Sequence, residues 1–220
     1  MEKLRIKFAT RETIKDEKIV AAIEHSAKEG TPRAESQAIR ARVPGVFWSF
    51  QNAWNDVFKE GIVDHSLKEL CRIYVSKSVD CKYCGNQRSS LTSKNEISEN
   101  DYIEILNFEK SDLYTKKSKA ALALTEAITW DLPTDDKFWE RLYNFFSEDE
   151  IVEIGFFVGL TMGQQRFNRI LNLDSVIFPM RCFSNQYWFT ASLSDLINPT
   201  RSSAFMAEFP TKTASHGIFK

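Results

Sequence analysis

Two cysteines three residues apart form the strongest chemical signal in the sequence. Cys81 and Cys84 follow Asp80, a residue type that caps helices, which predicts that Cys81 lies in the first turn of a helix. A Cys-x-x-Cys pair at that place holds both sulfurs on one face, where backbone N–H groups and the helix dipole lower the pKa of a thiol. The second thiol is then always at hand for disulfide exchange. The spacing therefore favours a redox-active pair.

Arg88 adds a permanent positive charge near this pair. It follows Cys84 by four residues, so on a continuous helix both side chains lie on the same face, one turn apart. A guanidinium there favours the thiolate but cannot accept or deliver a proton near neutral pH. The alternative is that Arg88 forms a salt bridge that only joins two helices.

Two other interpretations of the cysteine pair are weaker on the residues present. A structural zinc site needs a second close pair of Cys or His, whereas the remaining ones are isolated in the sequence: Cys71, Cys182, His25, His65 and His216. Two merely buried thiols would be expected among apolar neighbours, but most residues between and after the two cysteines are polar. The sequence therefore predicts no metal and no cofactor at this site.

Apolar residues recur at helical spacing along most of the chain. Asp64 can cap one helix, and Ser147 with Glu150 forms a capping box before another. No segment before residue 175 alternates with the period of a strand. The periodicity predicts helices over residues 14–29, 34–42, 44–61, 65–76, 112–130, from 134 onward, and 147–171. The sequence therefore predicts an all-α fold.

The last long helix carries a stripe of small residues and an isolated carboxylate. The small residues recur at every fourth position, at Gly155, Gly159 and Gly163. Glycine inside a helix costs up to about 1 kcal/mol relative to alanine, so this spacing predicts the close approach of another helix. Glu153 lies either at the edge of the apolar face or buried with a partner, for which Arg166 and Arg169 are candidates through packing.

Composition and charge limit the class of protein. The 220 residues carry a net charge of −1, which argues against a nucleic-acid binder that relies on phosphate neutralisation. No apolar run reaches the roughly 18 residues of a membrane span, and the start of the sequence shows no apolar signal region. We therefore expect a cytoplasmic globular protein with reduced cysteines.

The helical spacing of apolar residues ends near residue 175. Residues 1–174 form one predicted helical domain, whereas 175–220 carry scattered aromatic side chains among Pro, Ser, Thr and Asn. A segment with so many aromatic residues is not typical of a disordered arm. We predict an irregular, aromatic-rich C-terminal extension that packs on its own domain or on a neighbouring subunit.

The residues around the cysteine pair resemble the carboxymuconolactone decarboxylase family, and within it the alkylhydroperoxidase D-like branch. That branch is marked by a Glu, a Cys-x-x-Cys pair that begins twelve residues later, and a His four residues after the second Cys. Glu69, Cys81 and Cys84 match this spacing, but Arg88 stands in place of the His. The similarity covers about residues 40–173, including segments 43–45, 61–64, 125–128 and 168–171.

The resemblance implies an all-α helical bundle that assembles as a homotrimer or homohexamer. It also implies a thiol-dependent peroxidase or disulfide reductase. Cys84 would attack a hydroperoxide, Cys81 would convert the sulfenic acid to a disulfide, and a lipoyl-bearing or thioredoxin-like dithiol protein would restore the pair. Glu69 would act as a base or proton relay, with Glu153 as a second candidate for the pocket. Because Arg88 cannot shuttle a proton, we expect weaker or differently specific turnover than in the His-bearing branch.

Two other functions stay open on the sequence. A decarboxylase-like lyase acting on a lactone acid, as in the family's namesake, depends on a His that this motif lacks and not on a cysteine pair. A non-catalytic, redox-sensing oligomer would form the Cys81–Cys84 disulfide once, without turnover. Glu69 also has a structural alternative, as a charge on an exposed helix face.

Overall fold

Helices make up the regular structure of the residues that the computed structural model describes, 3–92 and 97–173. A π-helical turn, Trp54–Lys59, extends the third helix, and a 3₁₀ turn, Ile105–Asn107, follows the sixth. The α-helices of this part of the chain are α1 Glu17–Glu29, α2 Ala34–Arg40, α3 Pro44–Ala53, α4 His65–Ser78, α5 Lys82–Gly85, α6 Glu99–Glu104, α7 Lys116–Trp130, α8 Asp136–Tyr143 and α9 Glu148–Ile170. The predicted all-α fold is confirmed.

Several helices begin where a side chain caps the first turn. Asp64 accepts a hydrogen bond from the Leu67 N–H at 3.0 Å and begins α4, as predicted. Ser147 and Glu150 form the predicted capping box of α9. The helix expected over 112–130 begins later, because Thr115 is the residue that caps α7.

Helix α6 lies in a stretch, 89–111, where the periodicity indicated no element. Six residues are too few to show a helical repeat, although Ser98 and Asp101 form a capping box at its start. Tyr102, Ile105 and Phe108 are buried in a cluster with residues of α4 and α7. This short segment therefore covers one side of α4.

Helix α4 lies at the centre of the described structure and packs against both α7 and α9. Its residues from Leu67 to Ser76 are buried without a gap. Three of them are charged, namely Lys68, Glu69 and Arg72, and their side chains are at most 2% exposed. Because a buried charge is costly without a partner, each of these groups needs an ion pair.

The largest apolar cluster contains the cysteine pair. It joins the aromatic stripe of α3 and the π-helical turn to α4, α7 and α9, and both Cys81 and Cys84 belong to it. Phe58 of the π-helical turn stacks on Phe157 of α9 with ring centroids 5.1 Å apart. The cysteines are therefore held by a well-packed part of the protein.

The glycine stripe of α9 has no close neighbour among the described residues. A Cβ atom built on Gly155, Gly159 or Gly163 would meet nothing within 4 Å. On the same helix, Val152 and Phe156 are exposed. The predicted close approach of another helix is therefore wrong for the described part of the chain.

Residues 174–220 lie outside the described structure. The predicted boundary at residue 174 and the predicted packing of the C-terminal extension therefore stay predictions. Within the described ranges, no helix is both long enough and apolar enough to cross a membrane.

Candidate functional site

The cysteine pair follows α4 after a tight turn, and its local geometry differs from the prediction. Asp80 does not cap the next helix, because its backbone adopts a left-handed conformation with φ of 53°. Cys81 is the N-cap, and its Sγ accepts a hydrogen bond from the Cys84 N–H at 3.3 Å. The cap lies one residue later than expected because α5 is a single turn of four residues, Lys82–Gly85.

Cys81 and Cys84 form a disulfide. Both residues are buried, at 1% and 3% exposure, although a redox-active pair needs sulfurs that a small molecule can reach. Each cysteine nevertheless lines its own cavity. Access to the two sulfurs therefore depends on these two cavities.

Tyr83, between the two cysteines, fixes α5 to α2. Its hydroxyl donates to the Glu35 carboxylate and accepts from the Ser36 N–H, both at 3.2 Å. Burial raises the pKa of the Tyr83 hydroxyl, so it is neutral at physiological pH. The side chain between the sulfurs is thus an anchor for the short helix.

Glu69 is fully buried and forms an ion pair with Arg72 one turn along α4. The guanidinium donates to the two carboxylate oxygens at 2.7 and 2.8 Å. The remaining donors of Arg72 reach the carbonyls of Cys84 at 2.9 Å and Gln87 at 2.8 Å. The alternative of an exposed helix charge is therefore wrong, and Glu69 is joined to the cysteine segment through Arg72.

Arg88 lies on the side of Cys81 and not on the side of Cys84. Its guanidinium donates to both carboxylate oxygens of Glu99 at 3.0 Å and to the Gly85 carbonyl. It also lies over the Tyr102 ring, 4.1 Å from the centroid. Arg88 thus makes the helix-joining salt bridge that the sequence left as an alternative, while it lines the groove at Cys81.

Cys84 lines a small cavity of about 30 Å³ between α2, α3 and α9. Asn168 directs its Nδ2 at the Cys84 sulfur from 3.8 Å. Arg40 also lines the cavity and is buried; its Nε donates to Gln164 and its Nη1 to Gln37. Burial lowers the pKa of Arg40 to about 10, so the group stays charged at neutral pH. A donor and a cation therefore lie on the Cys84 side, where both favour a thiolate.

Cys81 lines a different and larger space, a groove of about 290 Å³. Its walls include the side chains of Lys77 and Lys82 besides Arg88, with Asp80 as the acidic member. Lys77 and Lys82 are exposed. The groove at Cys81 is therefore broad and carries more positive than negative groups.

His65 supports the segment that follows the cysteines. Its Nδ1–H donates to the Phe58 carbonyl at 2.9 Å, which leaves Nε2 to accept from the Ser89 hydroxyl at 2.8 Å. The backbone N–H of Ser89 in turn donates to Glu69 at 3.1 Å. Burial lowers the pKa of His65, so the ring is neutral in this arrangement.

Glu153 is paired with Lys68 of α4. The Lys68 ammonium donates to the Glu153 carboxylate at 2.8 Å, and the N–H groups of Ile62 and Val63 donate to it at 2.7 and 3.1 Å. Gly61 makes room for this carboxylate, since a Cβ there would lie 2.3 Å from it. The expected partners Arg166 and Arg169 were wrong, and Glu153 lines neither of the two cavities at the cysteines.

The described residues contain no group of three or more His, Cys, Asp or Glu side chains that could hold a metal ion. Cys71 belongs to α4, where it is buried as a free thiol. Burial raises its pKa to about 11. Cys71 therefore differs chemically from the disulfide-forming pair.

No family model and no curated protein matches the sequence. Among solved structures, the debrominase Bmp8 in its apo form is 20% identical, with a TM-score of 0.63 over 80% of this chain and 92% of that chain. A cysteine-to-alanine variant of Bmp8 in complex with 2,3,4-tribromopyrrole is 19% identical, with a TM-score of 0.61 over 81% of this chain and 95% of that chain.

A third structure is a protein of unknown function from Agrobacterium tumefaciens, named as a candidate antioxidant defence protein AhpD. It is 22% identical, with a TM-score of 0.49 over 58% of this chain and 88% of that chain. Identities near 20% show a shared fold and nothing more. The higher TM-score makes Bmp8 the structure that shows the fold of this chain. The chain therefore shares its helical fold with Bmp8, in agreement with the all-α fold that the sequence predicted.

Proposed function

We propose that this protein is a thiol-dependent hydroperoxide reductase of the alkylhydroperoxidase D-like branch of the carboxymuconolactone decarboxylase family. The observation that carries the proposal is the Cys81–Cys84 disulfide, because Cys84 lines a small cavity between α2, α3 and α9. The motif spacing from Glu69 and the AhpD-like fold support it as well. The proposal includes a cytoplasmic homotrimer or homohexamer, as expected from the sequence.

Cys84 is the attacking cysteine in this proposal. Its thiolate attacks one oxygen of the hydroperoxide, the O–O bond breaks, and the leaving oxygen takes up a proton to give water or an alcohol. Asn168 and Arg40 favour the thiolate from the cavity side. Cys81 then attacks the sulfenic sulfur, which forms the disulfide and releases water. A dithiol reductant supplies two electrons and two protons to reopen the disulfide.

Glu69 acts as a positioning residue in this scheme. Its carboxylate is held by Arg72, and Arg72 holds the carbonyls of Cys84 and Gln87. The Glu69–Arg72 pair therefore fixes the backbone of Cys84, the residue that carries the attacking sulfur. Arg88 stays with Cys81 but is paired with Glu99, so the charges of Lys77 and Lys82 are the ones that suit an anionic dithiol at the groove.

The proposal is tested by following peroxide consumption with an excess of dithiothreitol. We expect turnover by the wild type and none by Cys84→Ser. Without dithiothreitol, Cys81→Ser should react once and leave a sulfenic acid at Cys84 that dimedone traps. Cys71→Ala serves as the matched control, because it alters a buried thiol outside the pair and should keep turnover.

Two results would contradict the proposal. If Cys84→Ser consumes peroxide as fast as the wild type, the thiol mechanism is wrong. If the wild type forms the disulfide once and reductant gives no further consumption, the protein is the redox sensor left open by the sequence.

The debromination named for Bmp8 fits the cavity less well. The ligand of that complex, 2,3,4-tribromopyrrole, carries a five-membered ring with three bromine atoms. The cavity at Cys84 measures about 30 Å³, which gives room for about two water molecules. We therefore place peroxide reduction ahead of debromination for this chain.

A further inference from the structure

Arg40 is a buried cation without a carboxylate partner among the described residues. It ends α2 at 6% exposure, and its guanidinium lies over the Phe50 ring, 3.6 Å from the centroid. Its Nε and Nη1 donate to neutral amide oxygens, those of Gln164 and Gln37. Burial lowers the pKa of Arg40 to about 10, and no carboxylate opposes this decrease. The charge therefore persists at neutral pH without a counterion in the described structure.

The other buried cations of the described residues are paired. The Lys68 ammonium lies 2.8 Å from the Glu153 carboxylate, and the Arg72 guanidinium lies 2.7 Å from that of Glu69. A buried charge is strongly destabilising when it has no partner. Arg40 is thus the exception in a protein that otherwise gives its buried cations a carboxylate.

The charges around the cavity beside Cys84 do not cancel. The residues that line it include two cations, Arg40 and Arg72, but no Asp or Glu. Glu69 neutralises Arg72 from outside the cavity. One positive charge at this cavity is therefore left without compensation, which favours a bound monovalent anion.

The Arg40 guanidinium keeps a free donor. Its Nη2 donates to no described residue, and it is not one of the partnerless polar atoms that are sealed from solvent. A water-sized molecule can therefore reach this nitrogen. Asn168, on the same cavity, offers a second donor, because its Nδ2 has only the Cys84 sulfur as a partner, at 3.8 Å.

The size and walls of the cavity suit a monatomic anion. Its volume of about 30 Å³ gives room for about two water molecules. A chloride or bromide ion needs no more room than this, whereas a polyatomic anion such as sulfate needs more. Besides the polar residues, the aromatic side chains of Phe50 and Trp54 belong to the wall, and a halide gives up its hydration more readily to such a wall than a multiply charged anion does.

We propose that the disulfide form of this protein binds a single halide ion, chloride or bromide, in the cavity lined by Arg40 and Asn168. The ion neutralises the charge of Arg40 and accepts hydrogen bonds from Arg40 Nη2 and Asn168 Nδ2. It is a ligand that takes part in no bond-forming step, so the site goes beyond the proposed peroxide reduction and does not depend on it. Opening the disulfide would place a thiolate at Cys84 that can replace the ion, so the disulfide form is the state to test.

The test follows the linewidth of the chloride NMR signal in sodium chloride with the oxidised protein and no reductant. Chloride that exchanges with a protein site gives a broadened line, and bromide should compete for that site. Arg40→Met removes the charge and keeps a side chain of similar length, so the broadening by the protein should fall at least fivefold.

Arg166→Met is the matched control. Arg166 also has no carboxylate partner among the described residues, but it is exposed and does not line the cavity. Its removal should leave the broadening unchanged. Sulfate at equal ionic strength should also leave the line broadened, because it screens charges on the surface but needs more room than the cavity offers.

A crystal structure of the wild type grown in sodium bromide gives a test without any variant. The anomalous signal of bromide should show a peak in the cavity, within hydrogen-bond reach of Arg40 Nη2. The absence of that peak would overturn the inference, and so would equal broadening by the wild type and Arg40→Met. A loss of broadening in Arg166→Met, or in sulfate, would overturn it as well, because chloride would then be attracted only to the surface.

Discussion

The two sulfurs of one motif lie in two different environments. Cys84 lines a cavity of about 30 Å³ whose residues are mostly buried, whereas Cys81 lines a groove of about 290 Å³ with exposed lysines. The space beside Cys84 has room for about two water molecules, and the groove at Cys81 has more room. In the proposed function, this difference would separate the oxidant at Cys84 from the reductant at Cys81.

The segment that carries Cys84 is held by one buried ion pair. Arg72 holds Glu69 with one part of its guanidinium and the carbonyls of Cys84 and Gln87 with the rest. The neighbouring Lys68 is also buried, but it pairs with Glu153, which accepts a hydrogen bond from the backbone N–H of Ile62. Lys68 and Glu69, which are adjacent in α4, therefore form ion pairs in different regions of the molecule. Only the Glu69–Arg72 pair contacts the cysteine segment.

The largest effect is expected from removal of the Glu69 carboxylate. Glu69→Ala leaves Arg72 charged and buried without its partner, a change that costs about 3–5 kcal/mol in comparable buried pairs. We expect a loss of that size in the free energy of unfolding, measured by urea denaturation. The cysteine segment should lose its fixed position, so peroxide turnover should fall as well.

Glu153→Gln is the control for this prediction. It weakens the other ion pair on α4 and should lower stability, but it should leave the rate of the folded protein with peroxide unchanged. If Glu69→Ala keeps the urea midpoint of the wild type, or if Glu153→Gln slows the peroxide step equally, the assignment of the two pairs is wrong. Glu69→Gln, which keeps an acceptor, serves if Glu69→Ala does not fold.

The next largest effect is expected at Cys71, the thiol outside the pair, whose thiolate fraction should be about a hundredfold lower than that of an ordinary thiol. The pKa of Cys71 is raised by burial from 9.0 to about 11, so its thiolate fraction at pH 8 is about a hundred times lower than that of an ordinary thiol. In the reduced native protein, iodoacetamide should therefore label Cys84 well before Cys71. Peptide mass spectrometry checks the order, and labelling of Cys71 first would contradict the proposed reactivity of the pair.

The spacing of the motif was predictable because it depends on local sequence. Glu69, Cys81 and Cys84 stand at distances that can be counted, and the capping residues Asp64 and Ser147 act within one helical turn. The position of the cap at Cys81 was missed by one residue because a single-turn helix has no periodicity to mark where it begins.

The partners of these residues were not predictable, because tertiary packing brings them together. Arg72 lies three residues after Glu69, so their pairing has a sequence signal, but its burial depends on the packing of α4 against α7 and α9. Trp54 and Thr161 look like ordinary helical residues, and only the packing of α3 and its π-helical turn near α9 places them on one cavity. Lys68 was missed as the partner of Glu153 for the same reason.

A smaller, fewfold effect is expected at the groove of Cys81. Lys82→Glu reverses one exposed charge there, so it should slow reduction of the disulfide by the carboxylate-bearing dihydrolipoate about threefold. Reduction by uncharged dithiothreitol and oxidation by hydrogen peroxide should stay unchanged. Stopped-flow rates at low and high salt measure this, because screening should remove the difference. An equal loss with both reductants would show that the charge of the groove does not select the dithiol.

The smallest effect is expected for the pH dependence of stability through His65. Its pKa is lowered mainly by burial, with Lys68 adding to this and Glu69 and Asp64 opposing it. The unfolded chain therefore takes up a proton near pH 6.5 while the folded ring stays neutral, so stability falls as the pH drops below 6.5 and levels off below the folded pKa. Protonation also removes the Nε2 acceptor that holds the Ser89 hydroxyl. His65→Gln should show a smaller drop in urea midpoint between pH 7.5 and 5.5 than the wild type, and equal drops would contradict this role of His65.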